Sequence, residues 1–145
     1  MSERIALVVD DTPANRDFVE RLMMAARFSV RTADSGQAAL KCVKEGDNVA
    51  LAIVDMQLPD ISGLQLTSEL RQRYPNAVLV IATMYDERSL MDSAFQKGCN
   101  IFLVKPHGFM ELFKRLTTMN LDVIRNECCM VIDQYGPRAF TSISR

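Results

Sequence analysis

Two adjacent aspartates, Asp10 and Asp11, close the apolar run Ile5–Val9 and stand just before a helix-start signal, Thr12-Pro13. Neighbouring carboxylates repel, and burying either is costly without a partner, so the pair calls for a cation. Other apolar runs along the chain end in the same way: Val49–Val54 in Asp55, Ala77–Ala82 in Thr83, and Ile101–Val104 in Lys105-Pro106. Three carboxylates, a hydroxyl and an ammonium suit phosphoryl chemistry. A hard divalent ion such as Mg2+ compensates clustered carboxylates and keeps room for water and phosphate oxygens. Lys105 supplies a movable point charge for a phosphoryl oxygen, and Thr83 a hydroxyl donor. With charge drawn off phosphorus, a carboxylate such as Asp55 attacks in line and becomes an aspartyl phosphate. The added negative charge would pull Thr83 and Lys105 inward, which is the basis of a switch.

Taken singly, each signal has a plainer structural explanation. An aspartate pair after a strand is ordinarily a turn and helix cap, Lys-Pro a loop, and a strand-end threonine a β-branched strand residue. Their weight comes from a shared position, and that depends on the elements carrying them.

Strand-like runs recur at Ile5–Val9, Ser29–Thr32, Val49–Val54, Ala77–Ala82 and Ile101–Val104. Between them, apolar residues at helical spacing predict helices over Ala14–Ala26, Ser35–Glu45, Ser62–Tyr74 and Asp86–Lys97, with a fifth over Gly108–Leu116. Ser35 is placed to cap the second helix, and Gly98 stands where the fourth should stop. Alternation of strand and helix predicts an α/β, doubly wound parallel sheet of five strands with helices on both faces. In such sheets ligands bind outside the carboxyl ends of the strands, where strand order reverses. Asp10, Asp11, Asp55, Thr83 and Lys105 all fall on that rim.

Composition narrows the alternatives. The chain has 145 residues, 48% of them hydrophobic and 24% charged, which fits one globular domain with a sizeable core. A formal net charge of -1 and the lack of a Lys/Arg block argue against direct nucleic-acid binding. The apolar runs are far shorter than the roughly 20 residues of a membrane span, and the N-terminus turns acidic too soon for a signal peptide. Cytoplasmic localisation is the expectation. Cys42, Cys99, Cys128 and Cys129 have neither zinc-ligand spacing nor disulfide-scaffold density, and read as reduced packing thiols.

The segments VVDD (8–11), VDMQLPDISG (54–63), IAT (81–83) and LVKP (103–106) together resemble the receiver (CheY-like) domain of two-component response regulators. The likeness runs from about residue 4 to 117, with Pro59 and Gly63 four and eight positions after Asp55. It implies a flavodoxin-like sheet in strand order 2-1-3-4-5. It also implies roles: Asp55 as phosphoacceptor, loaded by a histidine kinase or histidine phosphotransfer protein. Asp11 and Asp55 would bind Mg2+ (or Mn2+) directly with the backbone carbonyl of Gln57, Asp10 acting mainly through a metal-bound water. Thr83 and Lys105 would bind the phosphoryl oxygens, and Phe102 occupies the position of an aromatic switch partner to Thr83. Gln57, Met84 and Tyr85 fall where the family tunes phosphate loss. None is an obvious general base, and Met84 is bulkier than usual, so hydrolysis should not be fast. Enzymatic activity should be confined to Mg-dependent self-phosphorylation and autodephosphorylation.

The reading divides the chain into a receiver domain, 1–118, and a C-terminal extension, 119–145. Residues 117–133 look weakly helical, and the tail breaks at Gly136-Pro137. The extension could pack on the domain, support a homodimer or begin a linker. Nothing after Leu116 reads as an output module, so the chain is either a stand-alone regulator or the receiver of a larger one. Output would then be altered protein binding on the face of the fourth helix, fifth strand and fifth helix, where Arg88, Met91, Met110 and Lys114 are the expected exposed residues. Two other functions stay open: a receiver-fold scaffold working without phosphorylation, and a phosphohydrolase with an aspartyl-phosphate intermediate. The latter is disfavoured by Gln57, which stands where a dehalogenase-type enzyme places an acid.

Overall fold

A computed structural model describes residues 4–127 and 129–140. Strands β1 (Ile5–Val9), β2 (Ser29–Ala33), β3 (Val49–Asp55), β4 (Val78–Thr83) and β5 (Ile101–Val104) alternate with helices α1 (Pro13–Ala25), α2 (Gly36–Cys42), α3 (Gly63–Arg73), α4 (Arg88–Gln96) and α5 (Gly108–Thr118). All five strands pair in parallel, in the order β2-β1-β3-β4-β5. The central strands are apolar on both sides because both faces are covered. Within β1, Ala6 and Val8 enter the core under α1 and α5, whereas Ile5, Leu7 and Val9 enter the core under α2 and α3. A third cluster, Met56, Ile81, Met91, Ala94, Cys99, Phe102 and Val131, lies beneath α4. Each fully buried aliphatic or aromatic side chain there contributes roughly 1.5–3 kcal/mol.

Helix ends differ modestly from the periodicity. α2 stops at Cys42 rather than Glu45, because Val43 turns extended into the core and Arg31 donates to the Cys42 carbonyl at 2.7 Å. α4 begins at Arg88, with Glu87 as its extended cap residue. Ser35 caps α2 as expected, accepting from the Ala38 amide at 3.1 Å.

The larger correction concerns the extension. After a short helix α6 (Leu121–Asn126), the chain forms β6 (Met130–Asp133) and β7 (Gly136–Ala139). β6 pairs in parallel with β5, and β7 folds back antiparallel on β6. The sheet therefore has seven strands, ending β5-β6-β7. A bare β5 would present unpaired amides and carbonyls beside an apolar strip, and Met130-Val131-Ile132 satisfies both. Gly136 supplies the turn, with a left-handed φ of 96°. The chain from Met130 to Ala139 is thus a strand hairpin; residues 141–145 and Cys128 lie outside the described residues.

Two expectations about the output face change with it. Met91 is 2% exposed, packed with Phe102 and Val131, rather than offered to solvent. Arg88, Met110 and Lys114 are exposed as expected, but the β5 edge between them is occupied by β6. No helix among the described residues is long and apolar enough to cross a membrane.

Candidate functional site

Parallel pairing brings the strand ends to one rim. Asp55 closes β3 opposite Ala82, Thr83 closes β4 opposite Val104, and the Lys105 amide donates to the Thr83 carbonyl at 2.8 Å. The β3–α3 connection returns tightly because residue 63 is glycine. A Cβ there would sit 2.3 Å from the Asp55 carbonyl oxygen, and the Gly63 amide donates to the Met56 carbonyl at 2.7 Å. Gly63 thereby clamps the start of α3 onto the backbone that orients Asp55.

The three carboxylates converge: one oxygen from each of Asp10, Asp11 and Asp55 lies within 4.8 Å of the others. Asp10 is 4% exposed, Asp55 half-buried and Asp11 exposed. Lys105 Nζ stands 3.4 Å from Asp10 Oδ2 and 3.4 Å from Asp55 Oδ2, splitting one positive charge between two carboxylates. Burial pushes the Asp55 carboxyl above the ordinary aspartate range against the pull of Lys105, and the charge of Asp10 adds to the rise. Asp10 is fixed by the Thr12 amide, which donates to its Oδ1 at 2.9 Å, and Arg16 donates to its carbonyl at 2.8 Å. Asp55 Oδ1 accepts from the Gln57 amide at 3.3 Å.

Asp11, Asp55, Gln57, Thr83, Met84, Tyr85 and Lys105 line one cleft of about 270 Å³, joined by Thr12 and Asn15. Thr83 is buried, its Oγ1 accepting from the Tyr85 amide at 3.3 Å. Met84 is 73% exposed, standing at the mouth rather than filling it. Phe102 lies outside the cleft, fully buried in the cluster under α4.

Sequence reasoning missed three supporting residues. Asn15 reaches the cleft from the first turn of α1, and Arg16 fixes the Asp10 backbone. Asp60 ties the β3–α3 loop to α2, accepting from the Gly36 and Gln37 amides at 2.9 and 2.8 Å. An acid placed at a helix start gains from the unpaired amides there, but which helix it meets depends on the fold.

Hard oxygen donors with two negative charges in excess of one lysine fit a small divalent cation, and chelation there suits Mg2+. A rim of this composition on a doubly wound sheet defines a phosphoryl-handling α/β domain. Comparison with known proteins gives the family: the Response regulator receiver domain model matches residues 6–117, and the chain belongs to that family. Members are phosphorylation-activated switches of two-component systems and bind Mg2+ at an acidic pocket.

Among curated relatives, a cyclic di-GMP phosphodiesterase of Thermotoga maritima is 28% identical over 111 residues, covering 77% of this chain and 29% of that protein. The transcriptional regulatory protein SrrA of Staphylococcus aureus is 25% identical over 139 residues, covering 96% of this chain and 55% of SrrA. The chain thus spans about half or less of these relatives. Among solved structures, a CheY-like receiver domain protein from Methanospirillum hungatei superposes with a TM-score of 0.74 at 23% identity, covering 87% of this chain and 99% of that one. The chemotaxis response regulator CheY4 of Vibrio cholerae gives 0.70 at 22% identity, covering 79% and 99%. At those identities the structures speak for the fold alone.

Proposed function

We propose that Asp55 accepts a phosphoryl group from the phosphohistidine of a histidine kinase or phosphotransfer protein, and that the resulting charge alters protein binding. An Asp55 carboxylate oxygen forms the new bond to phosphorus while the donor's N–P bond breaks, its electron pair remaining on the imidazole. The observation carrying this reading is Lys105 Nζ, held 3.4 Å from both Asp10 and Asp55 inside a three-carboxylate cluster.

Asp10, Asp11 and Asp55, with the Gln57 carbonyl, are the groups that would hold Mg2+. When bound, the ion neutralises the carboxylates and draws charge from the phosphoryl oxygens. Lys105 then exchanges its carboxylate partners for a phosphoryl oxygen, and Thr83 turns its hydroxyl from the Tyr85 amide towards another. Asn15, Met84 and Tyr85 form the wall that a donor and the hydrolytic water must pass. Among the described residues at the tuning positions, Gln57, Met84 and Tyr85 offer no efficient general base, which supports a long-lived phosphoaspartate. A cytoplasmic location goes with this reading, and residues 1–118 serve as the receiver with 119–145 as its extension.

Acetyl phosphate with Mg2+ tests it. Intact-protein mass spectrometry should show one added phosphoryl group in the native chain and none in Asp55→Asn. Equal labelling of the two proteins, or none of either, sinks the assignment. A scaffold working independently of phosphorylation would bind its target equally well as Asp55→Asn.

A further inference from the structure

The β6–β7 hairpin, with Phe140 just after it, packs against β5 and α4. On β5, Phe102 pairs in register with Val131 and Leu103 with Ile132. α5 reinforces this side: a Cβ at Gly108 would lie 2.7 Å from Leu103 Cγ and 3.0 Å from the Ile132 carbonyl oxygen, so helix, β5 and β6 meet closely. On α4, Val131 shares a buried cluster with Met91 and Ala94, and the outer hold is Phe140. Its ring lies 5.0 Å from that of Phe95, and the Arg88 guanidinium stands 5.0 Å above it. The Phe140 amide donates to the Cys129 carbonyl at 2.8 Å, fastening the hairpin's end to its own start.

Both supports lead back to the site. β5 runs directly into Lys105, and α4 follows the Met84–Glu87 loop that begins at Thr83. A phosphoryl group on Asp55 pulls on Lys105, just after β5, and on Thr83, at the end of β4 before α4. A shift of α4 relative to β5 would strain a hairpin that is paired to β5 through Phe102–Val131 and packed on α4 through Val131 and Phe140. The turn between the strands has room to move: a cavity of about 230 Å³ separates Asp133, Gln134 and Tyr135 from Asp86, Lys105 and His107. β7 is itself an edge, with Pro137 and Arg138 exposed; beyond its ladder with β6 it is held by the Arg138–Asp133 ion pair and by α5.

We infer that the β6–β7 hairpin is an internal occupant of the face on α4 and β5, and that phosphorylation of Asp55 loosens Phe140 from α4 and uncovers Phe95, beside the exposed Arg88, for a protein partner. This rests on the phosphoacceptor reading and adds to it a built-in competitor for the output surface. By linkage, a hairpin that opposes the phosphorylated state must be weakened by phosphoryl binding by the same factor that it weakens that binding.

Mg2+ with beryllofluoride, which occupies the place of the phosphoryl group, tests it on the full chain. Binding is followed by 19F NMR and hairpin stability by amide hydrogen exchange of residues 131–139. Bound beryllofluoride should speed exchange there about tenfold, and Phe140→Ala should bind beryllofluoride severalfold more tightly with unchanged far-UV circular dichroism. Beryllofluoride that binds while hairpin exchange stays constant or slows, with affinity unaltered in Phe140→Ala, overturns the inference and leaves the phosphoacceptor reading standing. Failure of the native chain to bind beryllofluoride at all brings down both.

Discussion

Arg71 and Lys105 are both cations at the ends of the sheet, and their surroundings could hardly differ more. At the amino end of β4 and β5, Arg71 is saturated by fixed acceptors: the Gly98 carbonyl at 2.7 Å, Asn100 Oδ1 at 2.6 Å, and the Pro75 and Ala77 carbonyls at 2.8 and 2.9 Å. Asn100 Oδ1 in turn accepts from the Leu79 amide at 2.8 Å. These bonds are short, neutral-to-charged and largely to backbone, and such a guanidinium has nothing left to offer a ligand. At the carboxyl end Lys105 has two carboxylates at 3.4 Å and a third close by, and the excess charge is negative. A closed network stabilises; an unbalanced one is poised for something charged to arrive.

Four substitutions break or sharpen that contrast. Lys105→Met should have the largest effect, slowing phosphoryl incorporation from acetyl phosphate about 10²–10³-fold, or roughly 3–4 kcal/mol, as for loss of one oxyanion-stabilising donor. Arg71→Ala should do the reverse, costing about 2–3 kcal/mol in urea unfolding while folded protein still takes up phosphate at the native rate. A large rate loss in Arg71→Ala would show that the two ends are coupled. Third, Asp11→Ala should weaken Mg2+ binding about tenfold, about 1.4 kcal/mol by titration calorimetry, with little change in metal-free stability because Asp11 is exposed.

The smallest effect belongs to Asp60, which uses its charge as Arg71 does, against fixed backbone. The Gln37 and Gly36 amides hold its carboxyl below the ordinary aspartate range. A depressed folded-state pKa contributes stability that is present above the unfolded value and is lost as pH falls through the folded one. Asp60→Ala should therefore lower the thermal midpoint slightly at neutral pH, and the difference should vanish in acid. A difference that persists at acidic pH would mean the loop geometry, not the charge, does the work.

How much was legible in advance follows from where each signal is stored. The strands and their reactive ends were readable because Ile5–Val9, Val49–Val54, Ala77–Ala82 and Ile101–Val104 are continuous apolar runs, each followed at once by a charged or hydroxylated residue. Parallel pairing then does the rest without further information. Met91 was misjudged because helical spacing in α4 does not say that a strand from the extension will bring Val131 against that helix. β6 and β7 are hidden for a similar reason: β6 has only three apolar residues, β7 carries Gly136, Pro137 and Arg138, and the partner of β6 lies some thirty residues earlier.

By itself, the order of residues determined the doubly wound receiver architecture, the rim on which Asp10, Asp11, Asp55, Thr83 and Lys105 meet, and the phosphoryl chemistry those types allow, because all of this is written in local runs and their ends. Only the tertiary structure decided that Lys105 divides itself between two carboxylates, that Asp60 reaches across to α2, and that the β5 edge and buried Phe102 lie beneath the chain's own hairpin. Those outcomes depend on which distant segments find each other, and satisfying an open strand edge is a property of the assembled sheet rather than of any stretch along the chain.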